Sequence, residues 1–123
     1  MNKDSLLFLK ELMKQPSPSG FETPAQKVIR GRMRLFADKL HTDVHGNVVG
    51  VLNEKAGMKV MLAGHVDEIG LMIAHIDEKG FLYFATIGGW DLAALIGQRV
   101  CIVSERGTVQ GVIGRKPIHQ MST

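Results

Sequence analysis

The sequence predicts an α/β fold that passes into a β-rich second part. Two stretches with apolar residues at helical spacing open the chain, and short runs rich in valine and isoleucine, separated by glycine-containing turns, follow them. A continuous apolar run near the middle, Val60–Gly64, is typical of a strand covered on both faces. With 123 residues, 45% of them hydrophobic, the chain is long enough for about one domain.

The first predicted element is an amphipathic helix. Leu6, Leu9 and Leu12 recur at helical spacing behind the polar start Asp4–Ser5. The two prolines and the glycine of Gln15–Gly20 cannot continue a helix, so they end it.

A second helix is predicted to start near Thr23 and to end near Asp38. Thr23 and Gln26 have the spacing of a capping box, and Pro24 falls at the favoured first position. The predicted buried stripe consists of Ala25, Val28, Ile29, Met33 and Phe36.

Strands are predicted next. His41–Val44 and Asn47–Leu52 flank the turn His45–Gly46, and Lys59–Gly64 is predicted to be the buried central strand. After Gly70 the pattern is that of hairpins in a small barrel. This part is predicted to contain strands Ile69–Ile76, Phe81–Ile87, Arg99–Ser104 and Thr108–Ile113, and a helix Leu92–Ile96 capped by Asp91. The predicted domains are residues 1–68 and 69–123.

Charge and composition exclude several classes of function. The net charge is +3, and the basic residues concentrated in the first 34 positions are interpreted as solvated helix faces, since no nucleic-acid-reading motif accompanies them. The single cysteine, Cys101, is interpreted as a small core residue. Neither a signal peptide nor a membrane span is predicted. We therefore expect a cytoplasmic protein that binds neither nucleic acid nor membrane.

The most informative segment is V-M-L-A-G-H-V-D-E-I-G, Val60–Gly70. His65 and Asp67 are two positions apart, so in an extended chain their side chains point to the same face. Imidazole is the commonest metal ligand in proteins, and a carboxylate commonly orients it. The alternatives are a hydrogen-bonded structural histidine and an aspartate that satisfies backbone amides. Glu68 would point to the opposite face and is interpreted as structural.

Four motifs, in order along the chain, carry a family resemblance. They are P-S-G-F-E (Pro18–Glu22), D-V-H-G-N-V (Asp43–Val48), G-H-V-D-E-I-G (Gly64–Gly70) and I-G-G-W-D (Ile87–Asp91). With them the chain resembles the tetrahedral-shell metalloaminopeptidases, which include deblocking and glutamyl aminopeptidases. The resemblance implies the start of a zinc-exopeptidase-like three-layer α/β catalytic domain, followed by a PDZ-like β insert that drives oligomerisation.

The same resemblance implies residue roles and partners. His65 would be a metal ligand, and Asp67 the catalytic-site carboxylate that orients it. A complete site would hold two divalent metals (zinc, cobalt or manganese), act on peptide substrates, and lie in a homo-oligomeric, dodecameric shell. The other ligands and the general base of the family cannot be placed here. Because a catalytic metal normally needs three protein ligands, we expect this chain to be the N-terminal part of such an enzyme, inactive alone.

Two other functions compete with this reading. A non-catalytic self-association module would present an exposed apolar face on Ile69–Ile113 and would show no metal dependence. A glycoside hydrolase would need two carboxylates facing across a cleft, whereas Asp67 and Glu68 are adjacent and diverge. His41, His45 and His75 have no partner spacing, and His119 only resembles a family position that is not a ligand.

Overall fold

A computed structural model describes residues 1–115 of the chain. The helices are α1 (Lys3–Leu12), α2 (Thr23–Met33) and α3 (Leu92–Leu95), and the strands are β1 (Lys39–Thr42), β2 (Val48–Val51), β3 (Gly70–Ile76), β4 (Leu82–Ile87), β5 (Arg99–Ser104) and β6 (Gly107–Val112). Two compact units are present, Met1–Gly88 and a second that begins at Gly89. The predicted domains are a different division of the chain and stay a prediction. His119 lies outside the described residues.

Helix α1 confirms the first predicted element. It starts slightly earlier than the sequence suggested, because the side chain of Asn2 accepts a hydrogen bond from the backbone N–H of Ser5 at 2.8 Å and so caps the helix. Helix α2 lies beside it. The guanidinium of Arg32 pairs with Asp4 and lies 5.7 Å from the ring centroid of Phe8, so one side chain links the two helices.

Helix α2 begins at Thr23, as predicted, and ends at Met33 rather than near Asp38. The predicted capping box is not formed. The side-chain amide of Gln26 instead donates to the backbone carbonyl oxygen of Gly46, in the turn between β1 and β2. The capping-box prediction is therefore wrong, and Gln26 serves a contact between the helix and the hairpin.

Strands β1 and β2 form the predicted hairpin, with antiparallel pairing from Lys39↔Val51 to Thr42↔Val48. One carboxylate organises its turn. Asp43 accepts hydrogen bonds from the backbone N–H groups of His45 and Asn47, at 2.9 Å each, and from the side-chain amide of Asn47 at 2.8 Å. These bonds favour the charged form and hold the pKa of Asp43 below its ordinary value, the Asn47 side chain being the largest cause.

The lowered pKa of Asp43 gives a prediction about pH. A carboxyl whose pKa is lower in the folded chain stabilises the turn above its unfolded pKa, about 4, and that stabilisation is lost as the pH falls through the folded pKa. In the variant Asn47→Ala we expect the pKa of Asp43 to rise toward its ordinary value. An NMR titration of the Asp43 side chain measures it. An unchanged pKa in N47A would contradict this account.

The remaining hairpins also follow the sequence. Strand β3 pairs with β4 across the turn at Asp77, with an irregularity between Ile73 and His75, and β5 pairs with β6. Helix α3 is capped by Asp91, whose side chain accepts from the N–H of Ala93 at 3.0 Å. In residues 1–115 the strands form three separate two-stranded antiparallel sheets. The central sheet of the expected three-layer α/β domain and the expected small β-barrel are therefore not formed within this part of the chain.

The predicted buried strand Lys59–Gly64 is wrong for the described residues. Its apolar side chains are largely exposed: Val60 is 73%, Met61 88% and Leu62 93% accessible. A strand needs a neighbour that accepts and donates backbone hydrogen bonds, and none of residues 1–115 pairs with this segment. The apolar run is present in the sequence, but the described part of the chain has no strand that pairs with it.

The core within residues 1–115 is small. Ala25, Leu95 and Ile113 are the buried hydrophobic residues. Of the stripe predicted on α2, only Ala25 is buried, and Cys101 on β5 is exposed rather than part of a core. Val28, Ile29 and Met33 are half-buried, and Phe36 is exposed because it lies beyond the end of α2. No helix in the described part has the length and apolar character of a membrane span.

Candidate functional site

The candidate site lies where two distant segments pair. The loop between α1 and α2 meets the chain just before β3 through an isolated parallel bridge between Pro18 and Glu68. The backbone N–H of Glu68 donates to the carbonyl oxygen of Ser17 at 2.9 Å, and the N–H of Ser17 donates to Oε1 of Glu68 at 3.0 Å. The carboxylate of Glu68 thus makes a structural contact, in agreement with its interpretation from the sequence.

His65 and Asp67 lie side by side, as their spacing predicted. Nδ1 of His65 is 3.0 Å from Oδ1 of Asp67 and 3.0 Å from the backbone oxygen of the same residue. Both acceptors lack a proton, so they favour the tautomer that carries hydrogen on Nδ1 and a lone pair on Nε2. The imidazole is 86% exposed. The pair therefore presents a free ring nitrogen outward, although the strand expected before it is absent.

Ser19 is a site residue that the sequence reasoning missed. Its hydroxyl donates to Oδ2 of Asp67 at 2.6 Å, so the two carboxylate oxygens have different partners. These hydrogen bonds, first that of Ser19 and then that of His65, hold the pKa of Asp67 below its ordinary value. The P-S-G-F-E motif was the available signal. It marked the loop by resemblance but did not reveal which carboxylate the hydroxyl would reach.

The absence of a side chain at Gly70 allows the loop to approach. A Cβ atom at this position would lie 2.5 Å from Cβ of Pro18, much closer than real contacts permit. The first residue of β3 therefore has to be glycine for the bridge between Pro18 and Glu68 to form.

This close approach gives a second prediction. Gly70→Ala is expected to separate the loop from residues 67–68, so the amide of Glu68 should exchange with solvent at least about tenfold faster, the equivalent of about 1.4 kcal/mol and within the usual cost of overpacking. Hydrogen exchange followed by NMR measures this rate. Gly64→Ala is the control, since a Cβ there meets nothing within 4 Å. Equal exchange rates in both variants would contradict the steric role.

The donor set fits one position of a metal site. His65 offers an exposed nitrogen, and Asp67 fixes its tautomer, which is the common arrangement of a ligating histidine. In residues 1–115 no group of three or more histidine, cysteine, aspartate or glutamate side chains could hold a metal ion. The other ligands of a complete site are therefore not supplied by this part of the chain.

The other candidates do not form sites among the described residues. The ring of His75 lies 5.7 Å from that of Tyr83 within the β3–β4 hairpin. The carboxylates of Asp67 and Glu68 are occupied by Ser19 and Ser17 and do not face each other across a cleft, so the arrangement that a glycoside hydrolase needs is missing here.

Comparison with known proteins shows which family this chain is similar to. The family described as M42 glutamyl aminopeptidase matches residues 46–123. The lysyl aminopeptidase of Pyrococcus furiosus is 36% identical over 112 residues, which make up 90% of this chain and 32% of that protein. The sequence resemblance is thus confirmed by an independent match.

Solved structures agree. A TET aminopeptidase from the marine sediment archaeon Thaumarchaeota archaeon SCGC AB-539-E09 matches with a TM-score of 0.88 and 34% identity, over 97% of this chain and 33% of that one. The Pyrococcus horikoshii TET1 peptidase, which can assemble into a tetrahedron or a large octahedral shell, matches with a TM-score of 0.80 and 36% identity, over 94% of this chain and 34% of that one. The chain spans about a third of the length of these relatives.

Proposed function

The chain belongs to the M42 glutamyl aminopeptidase family, and on this basis we propose that it contributes one metal ligand and its orienting carboxylate to an aminopeptidase that removes N-terminal residues from peptides. The observation that carries the proposal is the 3.0 Å contact between Nδ1 of His65 and Oδ1 of Asp67. The side chain of His65 is 86% exposed, and among the described residues its printed hydrogen bonds involve Nδ1, which leaves Nε2 for a ligand.

In this function His65 would bind a divalent metal (zinc, cobalt or manganese) through Nε2, and Asp67 would hold the ring and raise its basicity. A pair of such metals, when bound, supplies polarisation of the peptide carbonyl and activation of water. The remaining ligands and the general base would come from polypeptide with no counterpart in residues 1–115. The 123-residue chain by itself is therefore expected to be inactive.

We also propose the assembly and location that accompany this activity. The similar TET1 peptidase of Pyrococcus horikoshii can assemble into a shell, so the complete protein is proposed to be a homo-oligomer whose β-rich part, residues 69–123, takes the place of the PDZ-like insert. The proposed location is the cytoplasm. Apolar side chains are exposed on both faces of the β3–β4 hairpin, Met72 on one face and the paired Ile73 and Phe84 on the other, which supports further packing against this hairpin.

The test is to purify the protein from its native source and to measure its accurate mass, its metal content and its hydrolysis of aminoacyl p-nitroanilides. The proposal expects about two divalent metals per active site, activity that a chelator removes and metal restores, and either a mass well above 13.5 kDa or a second, co-purifying polypeptide. A metal-free protein of 13.5 kDa without peptidase activity would refute it.

That same outcome would favour the second candidate, a self-association module without catalysis. The exposed apolar faces of the hairpins are the observation in its favour. This candidate expects an oligomer whose thermal stability does not change when a chelator is added, whereas the aminopeptidase expects stability to fall on loss of metal.

A further inference from the structure

Three side chains from two distant segments form one hydrogen-bonded series. The hydroxyl of Ser19 donates to Oδ2 of Asp67 over 2.6 Å, and Oδ1 of the same carboxylate lies 3.0 Å from Nδ1 of His65. Each oxygen has its own partner. Rotation of the carboxylate about its terminal bond would therefore lengthen both contacts together.

We propose that Ser19 is a positioning residue for Asp67: its hydroxyl fixes the rotation of the carboxylate, which keeps the proton of His65 on Nδ1 and the lone pair on Nε2. The inference rests on the proposed function, in which Nε2 binds metal. It adds a residue, from a loop 48 positions away in sequence, that sets the state of that nitrogen.

Besides His65 itself, the described partners of this carboxylate are the Ser19 hydroxyl and the backbone N–H of Asp67, and Ser19 is the one that comes from a distant segment. The terminal torsion of aspartate is broad, so the side chain has no strong intrinsic preference. The side chain of Asp67 is 39% exposed, and water would replace the Ser19 hydroxyl without holding one direction. The Ser19 hydroxyl differs from water because the folded loop holds it in one direction relative to the carboxylate.

The position of Ser19 is set independently of its own hydroxyl. Its neighbours are held by backbone contacts, since Ser17 exchanges two hydrogen bonds with Glu68 and Pro18 bridges to the same residue. Removing the Ser19 hydroxyl should therefore leave the loop attached. The consequence is that its effect on Asp67 can be separated from a general loss of structure.

The effect on His65 should be partial. The backbone oxygen of Asp67 is a second acceptor 3.0 Å from Nδ1, and it remains when the carboxylate turns away. Loss of a whole hydrogen bond to a charged group changes an equilibrium about tenfold or more. Since only one of two acceptors is weakened, we expect about a threefold change in the ratio of the two tautomers.

The experiment measures the tautomers of neutral His65 in the full 123-residue chain by long-range ¹H–¹⁵N NMR at pH 8, without metal. In the unchanged protein the Nδ1–H form should dominate. Ser19→Ala should lower the ratio of Nδ1–H to Nε2–H about threefold, and Ser19→Thr, which keeps the hydroxyl, should restore it. Ser17→Ala is the matched control, because Ser17 contacts Glu68 through backbone atoms.

Further variants distinguish loss of the Ser19 hydrogen bond from a general loss of structure. Ser19→Val has the shape of Ser19→Thr without the hydroxyl, so a difference between these two isolates the hydrogen bond. In an Asp67→Ala background the Ser19→Ala change should add nothing, because the side chain through which Ser19 acts is gone. Exchange of the Glu68 amide, recorded on the same samples, reports whether the loop stays attached.

The outcomes are distinct. Tautomer ratios that are equal in Ser19→Ala and the unchanged protein, or equal in Ser19→Val and Ser19→Thr, would overturn the inference. A shifted tautomer together with a metal-free, inactive protein from the native source would keep Ser19 as a positioning residue and reject the proposed aminopeptidase. An unshifted tautomer in an active metalloenzyme would reject only the role of Ser19.

Discussion

Replacing His65 by alanine is expected to lower the divalent-metal affinity of the protein purified from its source by more than about 100-fold and to abolish its peptide cleavage. Changing a residue that only orients a ligand costs about 10- to 100-fold, and His65 is proposed to be the ligand itself. The loss follows from removing Nε2, the exposed nitrogen of a ring whose other nitrogen is held by Asp67. Metal content by mass spectrometry and hydrolysis of aminoacyl p-nitroanilides measure the two effects.

Two companion variants sharpen this prediction. Asp67→Asn should fall in the 10- to 100-fold range, since an amide at this position still contacts the ring but does not raise its basicity. His41→Ala, on exposed strand β1, should change neither metal content nor activity. If His65→Ala kept its metal while remaining folded, the ligand assignment of this residue would be wrong.

Self-association of the 123-residue chain in the absence of other polypeptide is the second large expected effect. With only Ala25, Leu95 and Ile113 buried among the hydrophobic residues of the described part, there is little apolar burial to offset the entropy of folding. We expect size-exclusion chromatography with light scattering to detect oligomers, and calorimetry to give a broad transition. A monomer with a sharp, cooperative melt would contradict this expectation.

The apolar segment Val60–Leu62 should dominate this association. Burying one large aliphatic side chain contributes about 1.5–3 kcal/mol, so Leu62→Lys is expected to weaken self-association about tenfold or more. Val44→Lys is the control. Val44 is 96% exposed, like Leu62 at 93%, but stands alone in the turn between β1 and β2. Equal weakening in both variants would show that charge, rather than the apolar segment, controls association.

Local features of the fold were predictable because their causes are local. Three of these features are made by hydrogen bonds between residues a few positions apart. They are the turn at Asp43–Asn47, the turn at Asp77–Gly80 and the helix cap at Asp91. The sequence alone therefore indicated the hairpins and the short helix. The burial of residues 59–64 was not predictable in the same way. An apolar run predicts that something covers it, but the covering partner is specified elsewhere.

In the candidate site, too, the contact between residues close in sequence was predictable and the contacts between distant residues were not. The contact between His65 and Asp67 follows from a spacing of two, which the sequence states directly. The donation from Ser19 to Asp67 joins residues 48 positions apart, and the need for glycine at position 70 depends on Pro18. No periodicity could predict these contacts. The P-S-G-F-E motif indicated the loop only through family resemblance.

The parallel bridge between Pro18 and Glu68 has a consequence for the order in which the chain folds. The three hairpins join neighbouring segments, and such elements form in about 1–10 μs. The bridge instead closes a loop of about 50 residues, whose entropy cost must be met before its hydrogen bonds contribute. His65 and Asp67 can meet early, within their own segment, but Ser19 reaches the carboxylate only when this long loop has closed. The ratio of the two imidazole tautomers would therefore reach its final value only after this long loop has closed.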